Sequence, residues 1–205
     1  ITHLASLYHD DVMDGADKRR GVPAVHEVWG NSAAILAGDL LFARAGAVGA
    51  RLGAEFAAIH AHTFERMCLG QLHETLGPQD ADPVEHYIRV LADKTGSLIA
   101  SAAELGALVS NADPAYRQPL RDFGERIGVA FQLVDDVLDL SSSPETGKVA
   151  GTDLRAGVVT LPLLRLRAAA ATDPDAKALL DDVERAGDDF PDVVARLREH
   201  PATLD

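Results

Sequence analysis

"LYHDDVMDGADKRRG" (residues 7–21) ends an apolar run on Asp10, Asp11 and Asp14, and Arg19, Arg20 and Gly21 follow closely. The same D-D-V-x-D arrangement returns in "FQLVDDVLDL" (131–140) as Asp135, Asp136 and Asp139. Residues four apart on a helix project from one face, so Asp10 pairs with Asp14 and Asp135 with Asp139. Like charges at that spacing cost a helix about 0.2–0.5 kcal/mol per pair, and the negative end of the helix dipole adds to the cost. A divalent cation removes both penalties. Hard carboxylate oxygens with room for water suit Mg²⁺, whose shell substrate phosphates commonly complete. One such motif in an acidic chain reads as a solvated helix end. Two of them, each followed by a Gly-rich basic loop, point to a metal site. Calcium loops of the EF-hand type are excluded, because their ligand spacing and central glycine are absent.

The bulk composition sets the frame. At 205 residues the chain reads as one domain, 1–205, long enough to bury a sizeable core. Aromatic content is only 5%, and alanine, leucine and glycine dominate, which favours packed helices over sheets. A net charge of −13 argues against nonspecific binding to nucleic acid or anionic membranes. The single cysteine, Cys68, rules out an internal disulfide, fits a reducing cytosol and reads as core filler. No apolar run of transmembrane length is expected. The chain opens at Ile1 inside a helical pattern and closes on "VVARLREHPATLD", so it reads as a fragment lacking neighbours on both sides.

Helical periodicity organises the whole sequence. Helices are expected over 1–13, 31–53 (with Asn31 and Ser32 as caps), 54–77, 83–92, 94–110, 120–140 and 161–171, followed by an acidic, solvated helical tail over 173–192. Residues 141–160 read as a long Gly/Ser/Pro loop, and no alternating strand stands out. The expectation is an all-α fold, a bundle of roughly eight helices.

Cations supply the other half of the site. Arg19 and Arg20 lie just past the first motif, Lys148 just past the second, and Lys94 stands with Thr95 in "ADKTGS". With six aspartates they describe a site for a polyanion held by metal and guanidinium together, and diphosphate is the natural candidate. No P-loop or kinase signature is present, so nucleotide phosphoryl transfer is the weaker reading.

These motifs resemble those of the trans-polyprenyl diphosphate synthase family, of medium- or long-chain type. "LYHDDVMDGADKRRG" resembles the first aspartate-rich motif with its arginine pair, and "GVAFQLVDDVLDL" with "TGKVAGTDLRAGVVTLPLL" resembles the second. "LAGDLLFARA", "GQLHET" and "DKTGSLIA" fall between them in the family's order. The resemblance implies an isoprenoid-synthase-type bundle around a central cavity, a homodimer, a cytoplasmic location and no nucleic-acid partner. It implies head-to-tail condensation of isopentenyl diphosphate with an allylic diphosphate, using about three Mg²⁺ ions. Asp10 and Asp14 would bind metal with Asp11 assisting, and Asp135 would bind it with Asp136 and Asp139 nearby. Arg19 would grip the allylic diphosphate, with Lys94 and Lys148, and Arg20 the isopentenyl diphosphate. Thr95, Gln132 and Gln71 would line the reacting carbons. No histidine is needed as a base, because the released diphosphate takes the proton; His9 reads as structural. Two departures stand out. Val158 takes the place of a lysine found in short-chain members, and the family's upstream isopentenyl-binding basic motif is not in this chain.

In the family the growing tail runs beside the helix of the first motif, where bulky residues four and five positions before the first aspartate block it. Those positions are Ser6 and Ala5, with Thr2 one turn higher. A helical turn rises about 5.4 Å, roughly one isoprene unit, so small residues there imply a product longer than geranylgeranyl diphosphate. The alternative is that they merely permit close helix packing. Other function classes remain: another class I terpene synthase, a non-catalytic subunit of a heteromeric synthase, or a structural bundle. The paired motifs, the arginine pair and "DKTG" favour the chain-elongating enzyme.

Overall fold

A computed structural model of the chain describes residues 1–141, 150–155, 157–185 and 190–204. The chain divides into two compact units, Ile1–Glu65 and Arg66–Asp205. The all-α expectation holds: the one sheet among the described residues is a hairpin of two-residue strands.

The first unit is built on α1 (Thr2–Asp14) and α3 (Asn31–Ala50), which pack along each other. Their close approach follows from a run of small residues, since Ala34, Gly38, Ala45 and Gly49 are the buried positions of α3. A Cβ on Gly38 would collide with the His9 ring and lie 3.2 Å from the Ala5 carbonyl. Between these helices come β1 (Lys18–Arg19), β2 (Val22–Pro23) and the short α2 (Val25–Trp29). Neither the hairpin nor α2 is legible in the periodicity. Asn31 and Ser32, expected as caps, are already helical; Gly30 holds the cap position, and no side chain caps the end. α3 also corrects the membrane expectation. Charged Asp39 and Arg44 interrupt its apolar run, yet the 20-residue helix is long and apolar enough to cross a membrane by length and composition. α4 (Ala54–Leu76) begins in this unit, where Phe64 stacks on Phe42 at 4.3 Å between centroids.

The second unit takes the rest of α4, then α5 (Pro83–Leu91), α6 (Ser97–Val109) and α7 (Arg117–Asp139). Asp82 caps α5 by accepting from the Val84 and Glu85 amides at 3.0 and 2.9 Å, with Pro83 in the first turn. The break expected at Asp93 is absent. Instead Ala92–Gly96 forms a π-helical turn that joins α5 to α6 without a loop. α7 starts earlier than its apolar pattern indicates, because Asp113 and Pro114 launch a 3₁₀ turn, Pro114–Tyr116, directly into it.

Within the expected long loop lies α8 (Thr152–Arg155), and α9 (Leu161–Ala169) follows it. α10 (Pro174–Arg185), α11 (Phe190–Glu199) and α12 (Pro201–Leu204) correct the reading of a merely solvated tail. Leu140, Leu166, Ala176, Leu179, Phe190, Val193, Val194 and Leu197 form one buried cluster. Burying a side chain such as Leu179 or Leu197 contributes about 1.5–3 kcal/mol, so these acidic helices carry a buried apolar face and a charged outer one. Cys68 is exposed, not core filler: on α4 it falls between buried Met67 and Gly70, off the face they share.

Candidate active site

The first motif ends α1 because Gly15 adopts a left-handed φ of 61° and its amide caps the Asp11 carbonyl. Within the motif the three carboxylates are not equivalent. Asp11 is buried, and its Oδ1 accepts from Arg19 Nε at 2.7 Å and Nη2 at 2.5 Å. Asp10 is half-buried and Asp14 is exposed. Arg19 ends β1, and the chain reverses through Arg20 and Gly21, both with positive φ (53° and 82°). Two left-handed residues in a two-residue loop fit the right-handed twist of the hairpin. Arg20 is therefore held at an exposed tip in a conformation that non-glycine residues seldom adopt. His9 packs edge-on to Phe42, with Nε2 3.0 Å from the Ile35 carbonyl and 3.4 Å from Asp39.

The second motif repeats this division of roles. Asp136, in the place of Asp11, is buried and accepts the Tyr87 hydroxyl at 2.6 Å and the Leu161 amide at 3.3 Å. Burial pushes the Asp136 carboxyl above its usual range; the two hydrogen bonds oppose that shift, and Asp135 and Asp139 add to it. Burial, then the Asp136 contact, raises Tyr87 as well. Asp139 caps α8: Oδ1 accepts from the Thr152 amide and Oδ2 from the Asp153 amide, both at 3.1 Å. Asp135 is exposed and has no hydrogen bond or ion pair among the described residues. Gln132, half-buried, lies one turn before Asp136.

Lys94 and Thr95 sit within the π turn, half-buried. Lys94 Nζ is 2.6 Å from Glu74 Oε2 on α4. Gln71 lies one turn before Glu74, and its buried Oε1 has no donor among the described residues. Arg66 binds both Asp93 and Glu125. Glu74, Tyr87 and Arg66 are absent from the sequence-derived site. Glu74 was detectable as a carboxylate three residues from Gln71 on one helix face, whereas nothing in the sequence pairs Tyr87 with Asp136. Ala5 is fully buried; Ser6 is half-buried and donates to the His3 carbonyl at 2.9 Å. Lys148 lies outside the described residues.

Among the described residues, no three His, Cys, Asp or Glu side chains converge as a ready metal cage. Mg²⁺ usually binds through one or two carboxylates and fills its shell with water and phosphate. Asp14 in the first motif and Asp135 in the second are the exposed carboxylates.

Residues 1–199 match the family profile described as "Polyprenyl synthetase". A nonaprenyl diphosphate synthase of Mycobacterium tuberculosis is 49% identical over 166 residues, covering 80% of this chain and 50% of the relative. The crystal structure of a decaprenyl diphosphate synthase from Rhodobacter capsulatus superposes with a TM-score of 0.84 at 31% identity, over 99% of this chain and 64% of that one. A polyprenyl synthase from Caulobacter crescentus, complexed with calcium and isoprenyl diphosphate, gives 0.80 at 34% identity, over 96% and 61%. The chain spans about half the length of the curated relatives it matches. With a profile match along nearly its whole length and the same all-α fold in these solved relatives, this chain belongs to the polyprenyl synthetase family.

Proposed function

We propose that the protein containing this chain condenses isopentenyl diphosphate head-to-tail onto an allylic diphosphate, making a polyprenyl diphosphate longer than geranylgeranyl. The observation that carries this reading is the repeated use of the two motifs. In each, the second aspartate is buried and spent on the scaffold, Asp11 on Arg19 and Asp136 on Tyr87 and Leu161. Asp14 and Asp135 stay exposed. Solvated helix ends have no reason to bury one carboxylate and present its neighbours. A bound calcium and isoprenyl diphosphate in the Caulobacter relative, and the product named for the Mycobacterium relative, support the substrate class and the product length.

In this reading Asp10, Asp14 and Asp135 would hold Mg²⁺, about three ions, and the metal would supply positive charge to the departing diphosphate. Arg19 and Lys94, with Lys148, grip the allylic diphosphate, and Arg20 grips the isopentenyl diphosphate. Asp11 fixes the Arg19 guanidinium by two of its N–H groups, leaving the others to the ligand. Thr95, Gln132 and Gln71 line the reacting carbons. The allylic C–O bond breaks with its electron pair on diphosphate, the isopentenyl double bond attacks the carbon, and the departing diphosphate accepts the lost proton. The protein acts as a cytoplasmic homodimer, with 1–205 forming one polyprenyl synthase domain.

The test uses the longest natural product of the gene, incubated with farnesyl or geranylgeranyl diphosphate, labelled isopentenyl diphosphate and Mg²⁺. A product ladder running beyond geranylgeranyl is expected. A ladder stopping there would keep the reaction and remove the long product. No incorporation with verified substrates would leave the partner-subunit reading.

A further inference from the structure

A π turn inserts a residue into the helical ladder and persists only where its surroundings hold it. The turn Ala92–Gly96 is held from two sides. On α4, a Cβ on Gly70 would lie 2.7 Å from the Lys94 amide nitrogen, so backbone meets backbone there. On α7, a Cβ on Gly128 would lie 2.7 Å from Gly96 Cα.

One side chain ties the three elements together. Arg66, on α4, donates Nε to Asp93 Oδ1 at 2.7 Å, Nη1 to Glu125 Oε2 on α7, and Nη2 to the Ala92 carbonyl at 3.4 Å. Two of those three acceptors belong to the π turn itself. Arg66 and Asp93 keep only 18% and 17% of their side chains exposed, so water competes little for these bonds. The guanidinium fork reaches three acceptors in different directions, which a lysine ammonium on one flexible stem does not reproduce. Ser97 adds a further bond from inside, donating Oγ to the Asp93 carbonyl at 2.6 Å.

We infer that Arg66 is a positioning residue: it sets the register of the π turn and, through it, the placement of Lys94 and Thr95. The inference rests on the condensation proposed above for its catalytic consequence, but not for its structural one. Arg66 is not among the residues assigned above to the diphosphates or the reacting carbons; its guanidinium is taken up by Asp93, Glu125 and Ala92. It acts through Asp93 and Ala92, the neighbours of Lys94 in the turn.

The experiment compares Arg66→Gln, Arg66→Lys, Lys94→Ala and the Arg66→Gln/Lys94→Ala pair in the full-length protein. Amide hydrogen exchange over 92–97 and steady-state condensation kinetics are both read. Arg66→Gln is expected to speed exchange over 92–97 while α6 beyond Ala100 stays protected. It should lower kcat on the order of 10- to 100-fold, the scale of a misplaced group, with a much smaller change in KM. Arg66→Lys should recover part of kcat. In the Lys94→Ala background Arg66→Gln should cost clearly less than it does alone, because only the Thr95 route remains. Unchanged exchange over 92–97, protection lost uniformly along the chain, or kcat losses that multiply in the double variant would overturn the assignment. Glu125→Gln keeps the shape and removes one charge, and repeats the test should Arg66→Gln fail to fold. If the wild-type protein forms no polyprenyl product, the proposed function falls, and the exchange measurement still decides whether Arg66 sets the turn.

Discussion

Tyr87 on α5 donates its hydroxyl to the buried carboxylate of Asp136 on α7 at 2.6 Å, and the same carboxylate receives the Leu161 amide that opens α9. One aspartate of the second motif thereby joins three helices. It is a scaffold bond at the place where the sequence suggests a metal ligand.

Tyr87→Phe removes that bond and nothing else of size. A hydrogen bond to a charged group contributes about 1.5–3 kcal/mol, and denaturant unfolding at neutral pH should show a loss of that order. The tyrosine titrates above its ordinary value of 10.0 in the fold, chiefly through burial and then through Asp136. Unfolded Tyr87 therefore releases its proton first, and rising pH favours the unfolded chain. Its contribution is complete below pH 10 and is lost above it, so the wild-type advantage over Tyr87→Phe should shrink as pH climbs past 10. An advantage that stays constant through that range would contradict the buried contact.

Glycines on the α6–α7 seam should separate cleanly from glycines in open space. A Cβ on Gly124 would come within 2.7 Å of Ala100 Cα, and one on Gly128 equally close to Gly96 Cα. Backbone atoms cannot move aside as a side chain can, so Gly124→Ala and Gly128→Ala should each destabilise by about 1–3 kcal/mol or more. Gly106, on the same α6, has nothing within 4 Å of its Cβ position. Gly106→Ala should raise stability by about 0.5–1 kcal/mol through helix propensity. Thermal midpoints of the three variants decide the matter.

The carboxylates of the second motif should divide between stability and activity. Asp139 caps two amides at the start of α8, and Asp139→Ala should cost about 0.5–2 kcal/mol. Asp135 is exposed, and Asp135→Ala should leave stability within about 0.5 kcal/mol of wild type while abolishing Mg²⁺-dependent condensation. Unfolding curves and isotope incorporation, run on both variants, should show this crossed pattern. Equal stability losses would mean that Asp135 also serves the fold.

Of the two small residues before the first motif, Ser6 gives the cleaner test of product length. Ala5 is fully buried and its carbonyl faces Gly38, so Ala5→Phe should unsettle α1 against α3. Ser6→Phe, at a half-buried position, should shorten the product with little loss of stability. Chromatography of the extracted products reads the chain length directly. An unchanged ladder would mean that Ser6 does not line the tail's path.

Much of the fold was legible in the residues. Gly15 and Gly77 stop α1 and α4, and apolar spacing places the long helices. The two aspartate motifs, the arginine pair and "DKTG" carry the family resemblance by themselves, because those residue types at those spacings serve one charge problem. Periodicity was silent wherever local pattern and tertiary contact part. It read Asp93 as a break, since a π turn leaves no mark except through Gly70, Gly128 and Arg66, which are distant in sequence. It read residues 173–192 as solvent-facing because their charges outnumber their apolar residues, although Ala176 and Leu179 of α10 and Phe190 of α11 belong to one buried cluster.

The aspartates show the boundary most sharply. Their number, order and helical phase are properties of the sequence alone, and so is the local electrostatic cost that calls for a cation. In the proposed metal site, which carboxylate would meet the cation is decided by burial and partners. Asp11 is claimed by Arg19 from the hairpin, Asp136 by Tyr87 from another helix and Asp139 by the amides of α8. A charged oxygen removed from water must find donors within about 3 Å, and only the folded chain brings those donors there.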